Sequence, residues 1–428
     1  MQATAPSPAP RAADGPLPGR SAQGGSKGGS PQGGDGLLVT RADAASLDDA
    51  RLAAWLDLHR AQEGVANPFC SPTWVLAWYR QYVPAERQVL LLVTDRDRLV
   101  GVVPLYLHEF ALGRVPLART RPLARRLVTV GAGVSTPMEL PPLLSAPGRA
   151  RAVTRAVVRW ALRAGVDWTE LCLAREQHGW LGAEQAGVTA GVAAFARFQQ
   201  VRACVVLRLE PTWEQTRAGL GRNVKESVRR AVNRLAKDGR EWRIVHRTGA
   251  DLDRAAVERL LRLHAARSDY QGSWSAHHDA FAAPPTTAFM VDLVPRLGLA
   301  GEATLMELEL AGEIAAVQLV LHPPGGVYVH SSGFVPDEWR LSPVTRLQVA
   351  AFEAATARGD RWVNLSPGPN EAKLRWSDRM AMFDDIAFGP ATRRGLARYG
   401  AFFIAKDMRQ LRHERATELR KIEAGVAG

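Results

Sequence analysis

One order of segments occurs twice along this chain, and it limits the fold more than any other feature. In the second half, Thr304–Leu310 (TLMELEL) is apolar and β-prone, and Ala311-Gly312 makes a two-residue turn. Ile314–His322 returns, Pro323–Gly326 breaks the chain, and Val327–Ser332 reads as a third strand. Ser342-Pro343 opens a helix, with Ser at the N-cap and Pro at the first helical position. Gly359 closes that helix, and Trp362–Leu365 follows as a strand. In the first half, Val89–Thr94, the turn Asp95–Arg98 and Leu99–Leu107 repeat the hairpin. A helix from about 148 to 164 ends at Gly165 and leads into Trp168–Leu173. Leu105–His108 stands where Leu319–His322 stands, and Val153-Thr154-Arg155 where Val344-Thr345-Arg346 stands. Each copy is a complete supersecondary unit, so the order predicts a duplicated mixed α/β fold. The expected units are 37–205 and 206–390.

A chain of 428 residues has room for two domains with extensions. Its apolar content of 46% supports a full core. Residues 1–36 are a Pro/Gly/Ser/Ala tail without an apolar signal core, and read as disordered. Residues 391–428 read as a charged helix, with Leu396, Tyr399, Phe403, Ile404, Met408 and Leu411 as an apolar stripe. Three scattered cysteines make no disulfide framework and no zinc spacing, so no metal is expected. No apolar run is long enough for a membrane helix. The cytoplasm is the expected compartment.

The net charge is +12, carried almost wholly by arginine, with six lysines in all. This is either an arginine-decorated surface or a means of attracting a polyanion: a nucleotide-linked sugar, coenzyme A or tRNA. No DNA-reading motif is present. The densest basic element is Arg222–Arg240, a helix ended by Gly239, with Lys225, Arg229 and Arg230 at helical spacing. Val224, Val228, Val232 and Leu235 mark its expected buried stripe. Its basic face is either solvated or an anion clamp, because the arginine fork suits phosphate oxygens.

With these segments in place, the second half resembles GNAT-superfamily acyltransferases of the type associated with cellulose and exopolysaccharide biosynthesis. These are relatives of the FemAB peptidyltransferases, which join two GNAT-like domains in one chain. The resemblance is carried by Asn223–Lys237, the hairpin Thr304–His322, Tyr328–Gly333 (YVHSSG), the helix from Ser342-Pro343, and the ending Leu365–Trp376 (LSPGPNEAKLRW). It covers roughly Pro68 to Phe388. Gly131–Met138 is similar to a first-domain turn of this family and precedes Glu139–Leu144; it lacks the Lys-Ser/Thr of a Walker loop.

The resemblance implies an acyl donor, acetyl-CoA foremost, with its pyrophosphate at the start of the helix at 342. The family's loop reads Arg/Gln-x-x-Gly-x-Gly/Ala. Here it is Arg340-Leu341-Ser342-Pro343-Val344-Thr345. Arg340 fits, Pro343 removes one N–H, and Thr345 replaces the small last residue. Arg340, Ser342, Val344, Thr345, Asn370 and Lys373 are the expected donor-binding residues. The first half has no such loop and is expected to be a degenerate copy. Acyl transfer to an amine needs a proton acceptor and a polarised carbonyl. His330 and Tyr328 share one face of the third strand, and Glu307 lies on the first hairpin strand; these are the catalytic candidates. Glu307 and Glu309 are either a solvated face or a cleft wall. Arg229, Arg230, Tyr270, Trp274 and Trp376 are the substrate-side candidates. Three functions stay open: an acyl-CoA-dependent N-acyltransferase, an aminoacyl-tRNA-dependent transferase, and a non-catalytic binding pair. The acceptor would be a sugar-linked or small-molecule amine.

Overall fold

The computed structural model describes residues 36–110, 124–132, 136–175, 191, 193–268, 270 and 279–426. Residues 1–35 of the tail expected to be disordered, and Trp274, fall outside them. Thirteen strands are described: β1 (Leu37–Ala42), β2 (Gln88–Asp95), β3 (Arg98–Phe110), β4 (Ala124–Thr129), β5 (Leu144–Ser145), β6 (Trp168–Ala174), β7 (Ala194–Arg208), β8 (Trp242–Arg247), β9 (Ala303–Leu310), β10 (Glu313–Leu321), β11 (Gly326–Phe334), β12 (Trp362–Pro367) and β13 (Met380–Pro390). They form one sheet in the order β1-β2-β3-β4-β6-β13-β7-β12-β11-β10-β9-β8, with β5 paired to β3.

Read from either end, that order repeats the same parts. Each half runs strand, two helices, three antiparallel strands, helix, strand, strand. In the first half the helices are Asp49–Arg60, Pro72–Tyr82 and Ala150–Ala161. In the second they are Arg254–Ser268, Pro284–Leu299 and Pro343–Ala357. β4 meets β6 in parallel over three residue pairs, and β11 meets β12 in the same way. The final strand of each half is exchanged: β13 pairs with β6, β7 pairs with β12, and the two pair with each other. The expected division at 205/206 falls inside β7.

Local chemistry explains the hairpins. Ala311 and Gly312 both have positive φ (49° and 88°), which a two-residue turn joining right-twisted strands requires. β9 and β10 are largely buried, so their apolar runs are core strands.

The largest core joins the halves. Trp74 and Trp78, both fully buried, lie on the helix Pro72–Tyr82 and belong to one cluster with Phe289, Leu293 and Tyr328. The second core lies on the other sheet face. There helices Arg222–Asp238 and Pro343–Ala357 cover Val327, Val329 and Val363. On Arg222–Asp238 the buried residues are Val224, Val228, Ala231 and Leu235, spaced four, three and four. Val232, expected in that stripe, is 40% exposed, because the true stripe drifts by one residue along a 3.6-residue period. The C-terminal helix Arg393–Val426 docks through Tyr399 and Phe402 on Trp168; Leu396, Ile404, Met408 and Leu411 are exposed.

Candidate active site

β11 and β12 part after Tyr328 and Asn364, the last residues they pair. The fork opens toward the N-terminus of helix Pro343–Ala357. Ser342 stands at the N-cap position but in left-handed backbone (φ 57°, ψ 47°), and no side chain caps this helix. The Ser342 hydroxyl accepts instead from Arg234 Nη1 at 3.0 Å. The first-turn N–H groups, with the helix dipole behind them, are therefore available to an anion. Arg234 also donates to the Arg340 carbonyl at 2.9 Å, and Arg375 donates to the Thr345 hydroxyl at 3.4 Å. Arg234, Lys237, Asp238, Trp339, Arg340 and Leu341 line one groove beside this helix start. The sequence marked Arg340, Ser342, Val344 and Thr345. It did not single out Arg234 and Arg375 for this place.

The other helix arginines sit differently. Arg229 is exposed and bound to Glu226 at 3.0–3.1 Å, on the solvated face. Arg230 is exposed one turn before Arg234, on the same helix face. Tyr270 has its ring 6.2 Å from both Phe334 and Trp339, beside the basic groove.

The ending Leu365–Trp376 serves three distinct roles. Asn370 caps the short helix Glu371–Leu374, its side chain accepting from the Lys373 N–H at 3.1 Å. The Lys373 ammonium donates to the Ser366 hydroxyl at 3.0 Å and the Pro367 carbonyl at 2.5 Å. Burial pushes its pKa down. Trp376, expected beside a ligand, is buried at 3% exposure and packs edge-on against Phe352 at 5.0 Å. It is a core residue of the helix Pro343–Ala357 face.

Alternation along β11 separates two sides. Val327 and Val329 face the helix Pro343–Ala357 core, while Tyr328 belongs to the core shared with the first half. His330 and Ser332 follow Tyr328. His330 Nε2 donates to the Pro137 carbonyl at 2.9 Å, so in the neutral ring Nδ1 accepts from the Ser331 hydroxyl at 2.8 Å. The Tyr328 hydroxyl donates to Glu139 at 2.6 Å. Tyr328 is fully buried, and burial, with the Glu139 charge adding, pushes its phenol well above the ordinary range. Neither Pro137 nor Glu139 was singled out from sequence.

Glu307 stands apart from this row. It is wholly buried and pairs with Arg247 at 2.8 Å and Arg259 at 2.8–2.9 Å. Both carboxylate oxygens are taken, which corrects its assignment as a proton acceptor. Glu309 is held by Arg243 at 2.9–3.0 Å. Among the described residues, no acid, His and Cys group could hold a metal, and no helix is long and apolar enough to cross a membrane.

Residues 222–374 match the Acetyltransferase (GNAT) domain family. No curated protein sequence matches the chain. Among solved structures, it is similar to a conserved protein of unknown function from Bacteroides thetaiotaomicron VPI-5482. The identity is 12%, with 82% of this chain and 99% of that one covered at a TM-score of 0.50. It is similar to FemX at 9% identity, 79% and 96% coverage and a TM-score of 0.50. At such identities the likeness is one of fold. The order of strands, the fork with its helix start, and the match of residues 222–374 to GNAT acetyltransferase domains agree: the protein is an acyltransferase.

Proposed function

We propose that the protein moves an acyl group from acyl-CoA, acetyl-CoA foremost, to an amino group of a sugar, a polysaccharide precursor or a natural-product intermediate. The observation that carries this reading is the uncapped helix start at Ser342, ringed by Arg234, Arg340 and Arg375, at the mouth of the β11/β12 fork. A diphosphate would meet the Val344 and Thr345 N–H groups and these guanidinium forks. The pantetheine arm would run into the fork, and strand N–H groups past Tyr328 would polarise the thioester carbonyl. Lys373, bound to Ser366 and Pro367, would fix the far wall. The resemblance to the exopolysaccharide-associated type is the basis for a sugar-linked acceptor, and the three free cysteines support work in a reducing cytoplasm.

A second donor, aminoacyl-tRNA, is favoured by two features. Pro343 supplies no N–H at the anion site, and the adjoining groove is basic with an exposed Trp339. Thermal shift with acetyl-CoA, longer acyl-CoAs and charged tRNA separates the two. Stabilisation by an acyl-CoA supports the first reading, and stabilisation by charged tRNA alone overturns it.

A further inference from the structure

One short segment of the first half hydrogen-bonds the fork, beside the rings of Phe69 and Trp74 that pack on Tyr328 and His330. Pro137 and Glu139 each take a hydrogen bond from β11, from His330 and Tyr328 respectively. Tyr328 is the last β11 residue paired with β12, so the Glu139 carboxylate sits at the vertex where the strands part. It is within electrostatic reach of the Lys373 ammonium and the Cys204 thiol. It approaches from the face opposite helix Pro343–Ala357, the face on which the two halves meet.

The other polar groups at the vertex are committed. His330 has both ring nitrogens bonded. The Tyr328 hydroxyl is directed at Glu139. Lys373 carries donors only, and three acceptors hold it. Glu139 is half-buried, with Oε2 receiving Tyr328 and acceptor capacity left on the carboxylate. We propose that Glu139 of the first half accepts the proton of the attacking amine, and that the acceptor binds between the halves while the donor enters from the helix Pro343–Ala357 side. This rests on the acyl-CoA reading above. Tyr328 and His330 are then positioning residues that hold the 137–139 segment to the fork.

The proton balance is complete. A substrate ammonium passes one proton to the Glu139 carboxylate. The neutral nitrogen attacks the thioester carbonyl, the C–N bond forms and the C–S bond breaks. The second nitrogen proton goes to the departing thiolate, giving free CoA. Glu139 then returns its proton to solvent.

The test uses the full chain, acetyl-CoA and release of free CoA thiol. Primary amines that are ammonium ions at neutral pH (glucosamine, ethanolamine, lysine) are compared with hydroxylamine, which is already neutral. Glu139→Gln keeps the size of the side chain and an oxygen for Tyr328. It should lower turnover with the ammonium-type amines by about 10²–10⁴-fold. Hydroxylamine turnover should stay within about threefold, with the acetyl-CoA thermal shift unchanged. Glu139→Asp should recover part of the loss. Ammonium-type turnover within about threefold of wild type overturns the proposal, as does equal loss with both nucleophiles. If Glu139→Gln does not fold, Tyr328→Phe is used; it should give a smaller loss confined to the ammonium-type amines, and an equal loss with hydroxylamine overturns the positioning role. Wild type that neither binds acetyl-CoA nor releases CoA with any amine removes the donor reading, and the Glu139 role with it.

Discussion

Arg234 ties the basic helix Arg222–Asp238 to the start of helix Pro343–Ala357, its Nη1 donating to the Arg340 carbonyl and the Ser342 hydroxyl. Arg229, five residues earlier, is spent on Glu226 in solvent. Arg234→Ala should weaken acyl-CoA binding by about fivefold to tenfold and make it less sensitive to salt. Arg229→Ala should leave both unchanged. Calorimetric titration at two salt concentrations checks this; equal effects from the two variants would assign the clamp to the helix face as a whole.

Glu307 should matter for folding rather than chemistry. Its carboxylate is buried between Arg247 and Arg259, which are partly exposed at 35% and 26%. Glu307→Ala frees two arginines that can rehydrate, at a cost of about 1–3 kcal/mol. The double variant Arg247→Ala/Arg259→Ala strands a buried carboxylate, and should cost about 3–5 kcal/mol. Urea unfolding measures both. A double variant no less stable than Glu307→Ala would contradict the asymmetry.

Acid should destabilise the fold through histidines wholly or partly withdrawn from water. Burial is the main cause that lowers His59, His108 and His322 from 6.5 to about 4. Unfolded, each gains a proton as pH falls through 6.5; folded, each stays neutral until about 4. The unfolded state binds more protons in that window, so stability is fully present above 6.5 and falls toward 4. His322 Nε2 is bonded to Thr304 at 2.8 Å. His322→Asn should remove about one proton from the slope of stability against pH in this window, and an unchanged slope would show that His322 does not titrate with unfolding.

The two hairpins and the helix-strand crossovers were legible because their signals are local: apolar runs, turn residues with positive φ, and Pro at a helix start. The exchange of β7 and β13 was not, because strand partners far apart in sequence leave no local mark. Ser342-Pro343 announced a helix start. Nothing in the sequence showed that the Ser342 hydroxyl would go to Arg234 rather than cap the helix. Alternation alone put Tyr328 on one face with His330 and left Glu307 on either a solvated face or a cleft wall. Alternation gives a face but not what covers it: two arginines cover Glu307, and the first-half segment ending in Glu139 covers Tyr328. The family turn Gly131–Met138 was the one signal close to Glu139, 189 residues from its partner.

The helix start at Ser342 should hold the acyl donor. A crystal structure of the full chain with acetyl-CoA tests it most directly. The diphosphate should lie within hydrogen-bond reach of the Val344 and Thr345 N–H groups, with Arg340 beside it and the acetyl group in the fork past Tyr328. Acetyl-CoA bound instead in the first half, in the cavity lined by Thr129, Gly131, Glu170 and Arg202, would contradict it.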